Sequence, residues 1–303
     1  MGIDMRATRL VPAVLLVVAL LAIGSASSAG GANRASTGYA ALRAPVVGRS
    51  VIDQAHRALS PIPDATLVYL DKMNDPRVSG TRTATVTGFQ RRDESGAFRG
   101  TSVISNADGT WNGTWNGLVE RGAVQRYFSA DYVGDGAYAG LTYHVDGWFT
   151  GSARDPLPGT RFRSFGWIEA DDGSPVEVSP GPEGVTPVVG DATFVTETPK
   201  WTWTLKMSDP RVTGTLKSVP NPDFPPRPNG SVDISGPFVL RNADGTWVCS
   251  NFTGEAGKDM IEHFVYCRAK GTGAYEGLRF RSLWHFVEPF SEHPVFVNAG
   301  SIS

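Results

Sequence analysis

Asn106-Ala107-Asp108-Gly109-Thr110-Trp111 occurs twice in this chain, returning 136 residues later as Asn242-Ala243-Asp244-Gly245-Thr246-Trp247. Two further phrases recur around it. Lys72-Met73-Asn74-Asp75-Pro76-Arg77-Val78-Ser79-Gly80-Thr81 returns as Lys206-Met207-Ser208-Asp209-Pro210-Arg211-Val212-Thr213-Gly214-Thr215. Gly136-Ala137-Tyr138-Ala139-Gly140-Leu141 returns as Gly273-Ala274-Tyr275-Glu276-Gly277-Leu278. Three landmarks in one order indicate a duplicated domain. The hexapeptide itself has hairpin chemistry, with Asn and Asp to bond back to the backbone and Gly109 where a positive φ is expected.

Working outward, the segments around each landmark alternate like strands. Leu67, Tyr69 and Asp71 share one face and Val68 and Leu70 the other, and Trp201, Trp203 and Leu205 are the counterparts of the first three. Further strands are expected over 83–89, 98–105, 111–118, 124–132, 138–149 and 161–169. Short connections make neighbours antiparallel. Seven or eight short strands per repeat, with 35 Gly and 21 Pro in the chain, argue for a barrel or sandwich, and a closed barrel removes exposed edges. One short helix is expected near the N-terminus, capped by Ser50 and Asp53 and carrying Val51, Ile52, Ala55, Ala58 and Leu59.

The domain reading follows. Residues 1–29 have the form of a secretory signal peptide, with Arg6 and Arg9 before a short apolar core of about 13 residues, too few for the roughly 20 of a membrane span. Residues 30–63 form a leader with the short helix. Residues 64–170 are repeat one, 171–190 a Pro/Gly linker and 191–303 repeat two. The five prolines within 219–230 mark a surface loop. Export makes a Cys249–Cys267 disulfide plausible. Their counterparts, Gly113 and Ala130, are small, as expected where neighbouring strands approach closely.

The phrase Gly-x-Gly-Ala-Tyr-x-Gly-Leu at 134–141 and 271–278, preceded by the Asp-Gly-Thr-Trp hairpin, resembles the allene oxide cyclase and dirigent barrel superfamily. The likeness covers most of both repeats and includes bacterial secreted proteins with the Met-x-Asp-Pro-Arg-Val phrase. It implies two tandem antiparallel β-barrels of about eight strands, each with an apolar lumen able to steer a small molecule. No residue here aligns with the acidic or basic groups that those enzymes use.

Composition excludes several classes. A formal charge of −2, with no basic run longer than Arg91-Arg92, leaves no footprint for nucleic acid or for an anionic membrane after signal cleavage. A strand, not a helix, follows each Gly-x-Gly turn, so a phosphate loop is not expected. The Gly-x-Ser-x-Gly elbow is absent. The five His lack zinc spacing, so neither metal nor cofactor is expected.

Two sets of side chains carry what functional signal there is. His144 and Asp146 stand two apart on one strand and could form an acid–base pair in a lumen, or simply face solvent. Tyr69, Trp111, Trp115, Trp201, Trp203 and Trp247 could line a pocket or serve as packing. The leading expectation is a secreted protein that binds an apolar or aromatic small molecule. The alternatives are an extracellular structural or glycan/protein-interaction module, and a cyclase or isomerase confining a reactive substrate.

Overall fold

The computed structural model describes residues 42–56, 65–92, 95–120, 124–150, 159–196, 200–219, 232–256, 264–288 and 295–303. The segment expected to be a signal peptide and the prolines at 220–228 lie outside them.

Two closed, eight-stranded antiparallel barrels follow one another. The first contains β1 (Ala44–His56), β2 (Thr66–Met73), β3 (Gly80–Arg92), β4 (Ser95–Ser105), β5 (Gly109–Glu120), β6 (Val124–Gly136), β7 (Leu141–Phe149) and β8 (Arg161–Ala170). The second contains β9 (Thr186–Thr196), β10 (Trp201–Met207), β11 (Gly214–Ser218), β12 (Val232–Arg241), β13 (Gly245–Ala256), β14 (Phe264–Gly273), β15 (Arg279–Glu288) and β16 (Val295–Ile302). β1 closes the first barrel by pairing with β2 and β8, and β9 closes the second by pairing with β10 and β16.

That closure corrects the expected helix. Ser50, Val51, Ile52, Asp53 and Ala55 lie in β1, whereas Ala58 and Leu59 lie outside the described residues. The i, i+3 spacing of Ile52 and Ala55 imitates a helix. The β-branched Val46, Val47, Val51 and Ile52, and the two strand edges awaiting a partner, decide for a strand. β9 likewise begins inside the expected 171–190 linker. The rest of that linker packs on the first barrel: Val176 joins its core, and Ser179 Oγ donates to Asp75 at 3.0 Å.

The duplicated phrases converge on one corner per barrel. Asp75 caps a 3-10 turn over Pro76–Val78 and accepts from the backbone and guanidinium of Arg77. Asn106 Nδ2 donates to the carbonyls of Pro76, Arg77 and Ser79, while its Oδ1 accepts from Asp108 N, Gly109 N and Tyr138 Oη. Trp111 Nε1 donates to Arg77 O at 2.7 Å, and its ring stacks on Tyr138 at 5.1 Å. The second barrel repeats this clasp with Asp209, Asn242, Trp247 and Tyr275: Trp247 Nε1 reaches Arg211 O at 2.7 Å, Tyr275 Oη reaches Asn242 at 2.8 Å, and the rings stack at 5.0 Å. Positive φ occurs at Gly136 (68°), Gly140 (83°), Gly273 (67°) and Gly277 (84°), not at Gly109 as expected. Gly109 is required for space, because a Cβ there would meet Asp135 O at 2.7 Å and the Tyr138 ring at 3.0 Å.

Candidate functional site at the loop end of the second barrel

Strand direction leaves two ends per barrel. The clasp closes one. At the other, the loop end, the chain passes from β1 to β2, β3 to β4, β5 to β6 and β7 to β8, and between their counterparts, largely through residues outside those described. Strand pairing aligns inward-facing residues of the two barrels at this end. In the first barrel Ile52, Leu67, Phe98, Phe128 and Phe162 are sealed, with exposures of 0, 0, 2, 0 and 1%. Their counterparts Phe194, Trp201, Ile234, Val265 and Phe296 are all only half-buried. At these five positions the second lumen presents apolar surface at its mouth and the first is sealed, with Phe149 and Ala55 its half-buried apolar residues at this end.

Aromatic rings build this mouth. Trp203 lies edge-on to Phe194 (4.8 Å), Phe296 (5.1 Å) and Trp284 (5.8 Å). Trp284 occupies the position of Gly147, where the Phe128 ring leaves no room for a Cβ. Deeper, the lumens differ in polarity. The first holds a buried ion pair, Arg82 Nε to Asp71 Oδ2 at 2.8 Å, with the guanidinium 3.8 Å from the Tyr69 centroid and 4.2 Å from that of Phe128. Tyr132 bonds Ser102 beside it. The second places Leu205, Leu216, Ala269 and Phe238 at the four corresponding positions, all buried.

The disulfide is part of the second lumen. Cys249 on β13 joins Cys267 on β14, with Cα atoms 6.4 Å apart and a sequence separation of 18. In the first barrel a Cβ on Gly113 would meet the Asp131 carbonyl oxygen at 1.9 Å and the Tyr132 ring at 2.8 Å.

The residues expected to line a pocket separate into three groups. Trp111 and Trp247 belong to the clasps. Tyr69 and Trp115 are sealed within the first lumen, Trp115 against Phe98 at 4.9 Å. Trp201 and Trp203 are at the second mouth. Phe194, Trp284 and Phe296 were not among the residues expected to line a pocket. On β15 the apolar face carrying Phe280, Trp284 and Phe286 was readable in the sequence, whereas β9 and β16 carry a single aromatic each.

His144 and Asp146 are on the outer wall, in neither lumen nor open solvent. They face the junction, where Val47, Tyr127, Phe165 and Trp167 of the first barrel pack on Val189, Leu283, Val297 and Ala299 of the second. They also belong to different networks. His144 Nδ1 bonds Asp131, and its Nε2 lies 3.5 Å from Glu169 Oε1. Arg43 then links Glu169 (2.9 Å) to Asp191 of the second barrel (2.7 Å). Asp146 instead accepts from Tyr127 Oη at 2.7 Å and lies 3.6 Å from His285 Nδ1. Burial opposes charging His144, but the hydrogen bonds and charges of Asp131 and Glu169 outweigh it and raise its pKa to about 9. The His144 hydrogen bond, opposed by burial and helped by Arg43, lowers Glu169 to about 2. Asp131 and Glu169 thus hold the His144 imidazole as a cation, and Asp146 and Asp131 raise His285 against its burial, an arrangement that joins the two surfaces.

No protein-family model, curated protein or solved structure matches this chain. Among the described residues, no group of His, Cys, Asp and Glu could hold a metal ion, and no helix is long and apolar enough to cross a membrane.

Proposed function

We propose that this is a secreted, non-catalytic binding protein that takes an apolar or aromatic small molecule into the loop end of its second barrel. The observation that carries this reading is the contrast at the five aligned inward positions, sealed in one barrel and half-buried in the other. A concave apolar wall with few polar groups is the usual form of a small-molecule site. The buried disulfide supports an oxidising compartment. The resemblance to allene oxide cyclase and dirigent barrels fits a lumen that accommodates a small molecule. The cyclase alternative loses its candidate pair, because His144 and Asp146 are engaged at the junction. The glycan alternative needs a contiguous exposed Trp patch, but Trp115 is buried and Trp148 stacks on Tyr266 at 4.6 Å.

Calorimetric titration with a small aromatic hydrocarbon such as 2-ethylnaphthalene tests this. Saturable binding to the intact protein is expected, weakened at least tenfold by Trp203→Ala and unchanged by Trp148→Ala. Absence of binding, or equal loss in both variants, would overturn the proposal.

A further inference from the structure

Asn298 lies on the inner face of β16, two residues beyond Phe296 and four before the core residue Ile302. Its cross-strand neighbours are Trp284 on β15 and Gly190 on β9. It is fully buried, and neither its Nδ2 nor its Oδ1 has a hydrogen-bond partner. Among the described residues of the second barrel, no other buried side chain has orphaned polar atoms. The nearby indole is no partner, since Trp284 Nε1 donates to Ser282 Oγ.

The first barrel shows a satisfied version of this position. There Ser164 replaces Asn298, and its hydroxyl bonds Ser50 at 2.8 Å in the core. In the second barrel the counterpart of Ser50 is Ala192, which can bond nothing. One hydroxyl of the pair is lost, and the other is replaced by a larger group with two donor hydrogens and an acceptor oxygen. A buried carboxamide without partners destabilises a fold, whereas an apolar residue of the same size would not. Its placement one layer below the Trp203–Phe194–Phe296 mouth gives it a use only when something else enters.

We infer that the ligand of the second barrel is a flat apolar molecule bearing one amide-like edge, a group that both donates and accepts, which pairs with the Asn298 carboxamide beneath the aromatic mouth. This inference rests on the binding function proposed above and adds the ligand's chemical class. The rings supply affinity for any apolar body. Asn298 supplies selectivity, because a molecule without the polar edge leaves the carboxamide unpaired.

Two matched probes, 2-naphthamide and 2-ethylnaphthalene, are titrated by calorimetry into the full chain and into Asn298→Leu and Asn298→Ser, with thermal unfolding to confirm that each variant folds. For the native chain the amide is expected to bind at least tenfold more tightly than the hydrocarbon. Asn298→Leu should abolish that preference while retaining hydrocarbon binding. Asn298→Ser, which restores the first barrel's residue, should keep part of it. If the native chain binds both probes equally, or Asn298→Leu keeps the preference, the inference falls and the binding function stands. If the folded native chain binds neither probe, both fall.

Discussion

The imidazole rings of His144 and His285 lie 6.4 Å apart across the junction, one from each barrel. Both are raised in pKa: burial opposes the charge, but Asp131 and Glu169 outweigh it around His144, and Asp146 and Asp131 around His285. A group with a raised folded pKa contributes stability that is complete below its unfolded value and is lost as pH rises through the folded value. For His144 that loss runs from 6.5 to about 9. Glu169 works in the opposite sense, and its contribution is lost as pH falls from 4.5 to about 2. Thermal unfolding should therefore be most resistant between about pH 4.5 and 6.5. Replacing His144 by Gln should remove on the order of 1–2 kcal/mol at pH 6, allowing for solvent screening, and flatten the alkaline decline. An unchanged alkaline limb would contradict this.

The Asn106 and Asn242 clasps have the same partners, so they should respond alike. Substitution of either by Ala removes bonds to three carbonyls, two backbone N–H groups and a Tyr hydroxyl, although the Arg77 and Arg211 carbonyls keep their Trp partner and the Pro76 and Pro210 carbonyls keep a backbone N–H. A loss on the order of 3 kcal/mol is expected for each in denaturant unfolding. A large difference between the two would show that the clasps are not energetically equivalent.

In the first lumen, Arg82→Leu alone leaves the buried Asp71 side chain without its partner, and should cost about 3–5 kcal/mol. The double change Asp71→Leu with Arg82→Leu reproduces Leu205 and Leu216 of the second barrel. It should recover most of that loss, by the general finding that a buried ion pair exchanges for apolar packing at little net cost. A double variant as unstable as the single one would refute this.

Reduction of Cys249–Cys267, whose loop spans 18 residues, should lower stability by about 3 kcal/mol. Intact mass should rise by two hydrogens. The effect is expected in the second barrel's unfolding and not in the first's.

Much of this architecture was legible because repetition is legible. Asn106, Trp111 and Tyr138 announced the duplication, and their contacts explain why three separated phrases recur together: they form one corner. Strand β1 was misread because Ile52 and Ala55 satisfy two periodicities, and only the open edges of β2 and β8 choose between them. His144 and Asp146 were correctly placed on one face, but a strand cannot reveal that a second barrel will cover it. Asn298 was invisible, because an Asn in an apolar strand becomes informative only when Ala192 is seen to have taken its partner's place.

The junction has a bearing on biosynthesis. Val47, Phe165 and Trp167 belong to the first barrel, yet much of their cover, Leu283, Val297 and Ala299, comes from β15 and β16. A nascent chain can close its first barrel while that greasy flank still awaits strands some 120 residues downstream of β8. During that interval the half-made protein displays an adhesive surface. Misassembly between neighbouring chains, through one molecule's late strands covering another's early flank, is the error this order of synthesis invites.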